Sequence, residues 1–89
     1  MNHNFVMSTH ILCHLALAQK KEKGATSDVI AQHLITDPSL VRRLAMLLSE
    51  KGLITNRVGF GGGYGLAKKP GEIHLKEVFE AVEELNRDF

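Results

Sequence analysis

The sequence predicts a mostly α-helical domain carrying one small β-hairpin. Three observations carry that reading. Apolar residues recur at helical spacing in four separate stretches. A short alternating stretch, "LITNRV", stands before a run that places five glycines in the seven positions 59–65. The chain has 89 residues, which is one domain, 1–89, with room for one small core.

The first helix is expected from Ser8 to about Gln19. Ile11, Leu12, Leu15 and Ala18 form its apolar series, and Ser8 or Thr9 serves as N-cap. "KKEKGA" breaks the pattern at Gly24. "TSDVIAQHL" opens a short second helix capped by Thr26 or Ser27, with Val29, Ile30 and Leu34 on one side. A turn at Ile35 to Asp37 follows. In the third helix Asp37 is the N-cap and Pro38 occupies the first turn, where no N–H is lost. Leu40, Leu44, Leu47 and Leu48 make its buried stripe, with Val41 and Ala45 beside it. Arg42, Arg43, Met46, Ser49 and Glu50 fall outside the stripe, and Gly52 ends the helix. Helix, turn and helix from Asp28 to Lys51 make a helix-turn-helix.

"LITNRV" and "GYGLAK" read as the two strands of a hairpin with the glycines at its tip. "KPGE" is a turn. "LKEVFEAVEEL" is a last helix with Leu75, Val78, Phe79, Val82 and Leu85 at helical spacing. Phe79 is expected in the core, and the place of Leu85 is left open.

The glycine run could instead cradle a nucleotide. A dinucleotide fingerprint needs glycine at i, i+2 and i+5, and that register fails at Tyr64 or at Leu66. No glycine precedes a lysine, so the Walker ending is missing, and no helix follows to receive a phosphate. A hairpin tip explains more. Its bare backbone can approach another surface closely, and its N–H groups can reach phosphate oxygens. A helix-turn-helix followed by such a hairpin is a winged helix. Arg57, Lys68 and Lys69 flank the tip and add positive charge.

Net charge is +1, but residues 1–71 hold nine Lys/Arg against four Asp/Glu, whereas residues 72–89 hold two against six. A basic body with an acidic end suits a domain that meets a polyanion with one face. No stretch approaches the roughly 20 apolar residues of a membrane span, and "MNHNFVMSTH" lacks the basic leader of a signal peptide. The single cysteine, Cys13, allows no intrachain disulfide and points to the reducing cytoplasm. Cys13 is expected as a buried thiol. His10 and His14 are spaced i,i+4, yet Cys13 points away from both, so no metal site and no cofactor are expected. No catalytic constellation is visible, and the chain is not read as an enzyme.

"GFGGGYGLAKKPGEIHLKEVFEAVE" resembles the hallmark of the Rrf-two family of bacterial transcription regulators. Gly59, Gly61, Gly62, Gly63, Tyr64, Leu66 and Ala67 match the family's wing. Ile73, Leu75, Val78, Ala81, Val82 and Glu83 match its following helix. "DPSLVRR" is similar to the YwnA-like branch, which carries a proline followed by paired arginines. Val58, Phe60 and Gly65 stand where the family has Arg, Pro and Arg, which removes wing charge. The resemblance implies a cytoplasmic DNA-binding transcription regulator, a repressor, acting on double-stranded DNA as a homodimer. The family's C-terminal dimerisation and sensor region, with its three cysteines, is expected to be absent from 1–89.

With that function, helix 38–51 reads the major groove and the wing 57–67 contacts the backbone. Arg42 and Arg43 are the candidates for bidentate contact with guanine. Thr26, Ser27, Thr36, Pro38 and Ser39 approach backbone or base edges, and Arg57, Gly61, Gly62 and Gly63 form the phosphate-facing wing. Tyr64 completes the set, although a tyrosine beside glycines packs beneath the wing in preference to touching DNA. The rival reading is a winged-helix protein-interaction module, or a truncated member that does not bind DNA alone.

Overall fold

A computed structural model describes residues 3–21, 23–57 and 63–87, with 57 and 84–87 as backbone alone. These form α1 (His3–Lys20), α2 (Ser27–Leu34), α3 (Pro38–Glu50), β1 (Ile54–Arg57), β2 (Gly63–Leu66) and α4 (Leu75–Arg87). A single 3-10 turn, Pro70–Glu72, lies before α4. The order and types of the elements are those expected from the sequence.

Helix α1 differs at its start. It begins at His3, so Ser8 and Thr9 lie inside it and are not caps. Thr9 Oγ1 donates to the carbonyl of Phe5 at 2.9 Å, the bond a hydroxyl makes back into its own helix. Ser8 is completely buried, and its hydroxyl finds no partner among the described residues. The early turn forms because Phe5 and Met7 pack on the core, and Phe5 meets Phe79 edge to face with centroids 5.9 Å apart. Tertiary burial outweighs the local capping signal here.

The ends of α2 and α3 follow one motif. At α3, Gly52 adopts φ +74°, the Gly52 N–H donates to Ser49 and the Leu53 N–H donates to Leu48. This is the Schellman closure that glycine favours. At α2 the same pair of bonds runs from Ile35 to Gln32 and from Thr36 to Ala31, but the left-handed residue is Ile35, at φ 53° and ψ 58°. A β-branched residue is costly in that conformation. Its side chain is 92% exposed, so little burial offsets the strain. Ile35→Asn should therefore raise stability by about 1 kcal/mol, seen as an upward shift of the urea midpoint without a change of slope.

The core lies where α1, α3 and α4 converge. Ile11, Leu15, Leu44, Leu48, Val78 and Val82 are almost fully buried there. Ile30 from α2, and Leu53 and Ile54 from the hairpin, close its sides. Strands β1 and β2 pair antiparallel, with Ile54 opposite Leu66 and Arg57 opposite Gly63. The Ala67 N–H donates to Leu53 and fastens the hairpin base.

Two expectations about the core are corrected. Phe79 is 46% exposed and lies over Phe5, not in the interior, because Val78 and Val82 occupy the inward face of α4. Leu75, in the first turn of α4, is also exposed. Cys13 is exposed and not buried, since Ile11, Leu12 and Leu15 take the inward positions of α1. Leu85 lies outside the residues whose side chains are described.

Candidate nucleic-acid interface

The candidate interface gathers around residues 25–27, the short link that enters α2. Thr26 is the N-cap of α2, and its Oγ1 accepts from the Val29 N–H at 3.3 Å. The Thr26 hydroxyl proton stays available to a phosphate oxygen. Ser27 Oγ accepts from Arg42 Nη1 at 3.3 Å, which ties the second helix to the third. One residue before the cap, Ala25 forms a two-way bridge to the wing. Its N–H donates to Tyr64 at 3.1 Å, and the Tyr64 N–H donates back at 2.7 Å. The start of α2, the arginine of α3 and the base of the wing are thus coupled through three consecutive residues.

Helix α3 is oriented by its first turn. Asp37 is the N-cap, with one oxygen accepting from both the N–H and the hydroxyl of Ser39 at 2.8 Å each. Pro38 holds the first helical position. Val41, Leu44, Ala45 and Leu48 are buried at 0% exposure, so Arg42 and Arg43 have to project outward. The Ser39 N–H, then its hydroxyl, and more weakly the charges of Arg42 and Arg43, hold the Asp37 carboxyl below the usual carboxylate range. A carboxyl depressed by folding stabilises the fold above its unfolded pKa, and that contribution is lost as pH falls through the lower folded value. Asp37→Asn keeps the cap oxygen but removes the charge. Its stability should therefore fall less than that of the parent as pH is lowered below about 4, as followed by acid titration of the helical circular dichroism.

Not every expected residue joins this cluster. Thr36 and Pro38 line a shallow hollow on the outside of α2 together with Asp28, Gln32 and Ile35. The Ser39 hydroxyl proton is spent on Asp37, which leaves its oxygen as an acceptor. Lys68 is pulled from the wing to α4, where its Nζ meets Glu77 Oε1 at 3.1 Å. The same ammonium, then the His74 N–H, lowers the Glu77 carboxyl from its ordinary range. Tyr64 is half-buried and packs on the core, in keeping with a role beneath the wing. Gly63 lies against the backbone of Ala25 at φ +128°. Gly61, Gly62 and the Arg57 side chain lie outside what the structure describes.

Sequence reasoning missed Ala25. Small, apolar and next to Gly24, it carries no chemical signal, and its role belongs to its backbone. His14 does not pair with His10 but faces His33 of α2, with ring centroids 4.8 Å apart. Among the described residues no group of three or more His, Cys, Asp or Glu side chains gathers as a metal centre, and no helix is long and apolar enough to cross a membrane.

Three core helices, the second and third joined by a tight turn, with a two-stranded hairpin docked beside the start of the second, define a winged helix-turn-helix domain. Residues 1–88 match the model of the Rrf2 (Rrf-two) family, described as iron-dependent transcriptional regulators, and the chain belongs to that family. It is 34% identical over 83 residues to a Bacillus subtilis protein named as the HTH-type transcriptional regulator YwnA, covering 93% of this chain and 59% of that one. It is 40% identical over 75 residues to the HTH-type transcriptional regulator IscR of Cereibacter sphaeroides, covering 82% of this chain and 48% of that protein. Among solved structures, that of CymR (YrzC), the global cysteine regulator of B. subtilis, superposes with a TM-score of 0.83 at 25% identity. The match covers 93% of this chain and 64% of CymR. The chain thus spans about half to three-fifths of the length of these two named relatives.

Proposed function

We propose that this chain is the DNA-reading domain of a transcription regulator, a repressor working as a homodimer in the cytoplasm. Helix α3 enters the major groove with Arg42 and Arg43 leading, while the wing and the start of α2 hold the phosphate backbone. One observation carries the reading: Arg42 is bonded to Ser27, and Ala25, two residues before Ser27, is bridged to Tyr64 at the wing base. A duplex lying across α3 therefore meets the α2 cap and the wing base on one approach. Two copies are needed because one domain reads only a half-site. Family membership and the transcription regulators among its relatives support DNA as the partner.

The test is fluorescence anisotropy with labelled DNA from upstream of the chain's own gene, across a salt series. Affinity should fall linearly on logarithmic axes as salt rises, since each neutralised phosphate releases counterions. It should also exceed that for scrambled DNA. Salt-insensitive or absent binding at low ionic strength would instead favour a protein-interaction module, a reading to which the loss of Lys68 to Glu77 lends some weight.

A further inference from the structure

The two histidines that face each other across α1 and α2 have no part in the proposed DNA contact. Their rings lie 4.8 Å apart, centroid to centroid, and are inclined at 50°. Two imidazoles bound to one ion at about 2.1 Å, with an angle of about 90–110° at the metal, hold their centroids about 4.5–5.2 Å apart. The observed separation falls inside that range. His14 is half-buried and His33 exposed, so an ion can reach both. Among the described residues neither ring is engaged in a hydrogen bond, which leaves their nitrogens free to turn toward a common point.

We propose that His14 and His33 form a two-imidazole chelate for one divalent first-row transition ion, fastening α1 to α2. Zinc, nickel and copper suit imidazole, whereas magnesium and calcium prefer oxygen. No third side chain completes the set among the described residues. Water therefore fills the remaining positions, and the ion is held exchangeably, not as a structural centre. The hollow around the pair is lined also by Leu17, Val29, Ala25, Lys21 and Lys23. The two ammonium groups oppose a dication, but both lysines are exposed and solvent screens them. Burial, and after it the neighbouring His33, holds His14 below the ordinary imidazole range. Ala25 lines the same hollow and bridges to the wing. An ion there stiffens the junction from which the wing and the α2 cap are both hung.

The experiment is calorimetric titration of the metal-free chain with zinc at neutral pH, alongside thermal unfolding with and without zinc. One zinc per chain should bind, and the melting temperature should rise. His33→Ala should weaken binding by at least the ~10-fold that follows loss of a merely supporting residue, and should remove the thermal shift. His10→Ala, which would break the rival i,i+4 pair, should leave both unchanged. His14→Ala should behave as His33→Ala does; should it misfold, the exposed His33 alone carries the test. Unchanged zinc affinity in His33→Ala, lost affinity in His10→Ala, or no binding by the parent chain each overturns the proposal. Neither readout uses DNA, so the outcome is independent of the proposed function.

Discussion

Replacing Arg42 and Arg43 together by alanine should abolish sequence-specific DNA binding while leaving the fold intact. Both side chains are exposed, and the residues that anchor α3, Val41, Leu44 and Leu48, are untouched. A bidentate arginine–guanine contact is worth about 1–3 kcal/mol of discrimination, so loss of two such contacts lowers affinity for the preferred site by roughly 30-fold to 10⁴-fold. The single variants separate the possible roles. An arginine that reads a base relaxes the preference at one position when replaced, and Arg→Lys does not restore it, because an ammonium lacks the planar fork. An arginine that holds a phosphate weakens binding to all sequences alike and reduces the salt slope by about one unit. Arg42 is partly pre-positioned by its bond to Ser27, whereas among the described residues Arg43 shares with Arg42 only the nearby Asp37 charge. The structure therefore favours Arg42 for the more directional contact. A double variant that binds its site as tightly as the parent, with circular dichroism unchanged, would remove α3 as the reading element.

Much of this site is legible in the sequence because its signals are local. Asp37-Pro38 has the chemistry of a helix start, the leucines of α3 fix which face is inward, and that leaves the arginines outside. The Gly59–Gly65 run could be read as a hairpin since it fits neither the dinucleotide fingerprint nor the Walker ending. What was not legible depends on pairs far apart in the chain. Ser8 and Thr9 look like a helix start, and only the packing of Phe5 against Phe79 draws the helix back to His3. His14 has a tempting neighbour at His10, yet its real neighbour is nineteen positions away on another helix. Lys68 reads as wing charge until α4 brings Glu77 beside it. Ile35 breaks the propensity rule for a helix end, and nothing in its own stretch announces a left-handed residue. Residue type predicts a local cap such as Asp37-Pro38, but it does not predict which surfaces meet.

Gly63→Ala should be the most damaging single change in the wing. The glycine sits at φ +128°, a conformation nearly closed to residues with a side chain. A Cβ there would lie 2.7 Å from the carbonyl carbon of Ala25, 2.8 Å from its oxygen and 2.9 Å from its nitrogen. These are backbone atoms, not the flexible end of a side chain, and two of them make the hydrogen bonds to Tyr64. The strand cannot relieve the clash without giving up that bridge. Strain of about 1–3 kcal/mol and two hydrogen bonds at about 1 kcal/mol each together give a loss of about 3–5 kcal/mol. In a domain of this size that lowers the melting temperature by roughly 10 °C or more. Gly65→Ala is the control two residues away. Its Cβ would meet only the Thr55 hydroxyl at 3.5 Å, an ordinary contact, and its stability should change by no more than about 0.5 kcal/mol. The fraction of Gly63→Ala that stays folded should bind DNA more weakly than Gly65→Ala, because its wing no longer hangs from the residue before the α2 cap. Equal stability and equal affinity in the two variants would mean that the wing is not docked on Ala25, and the single-approach geometry around residues 25–27 would lose its foundation.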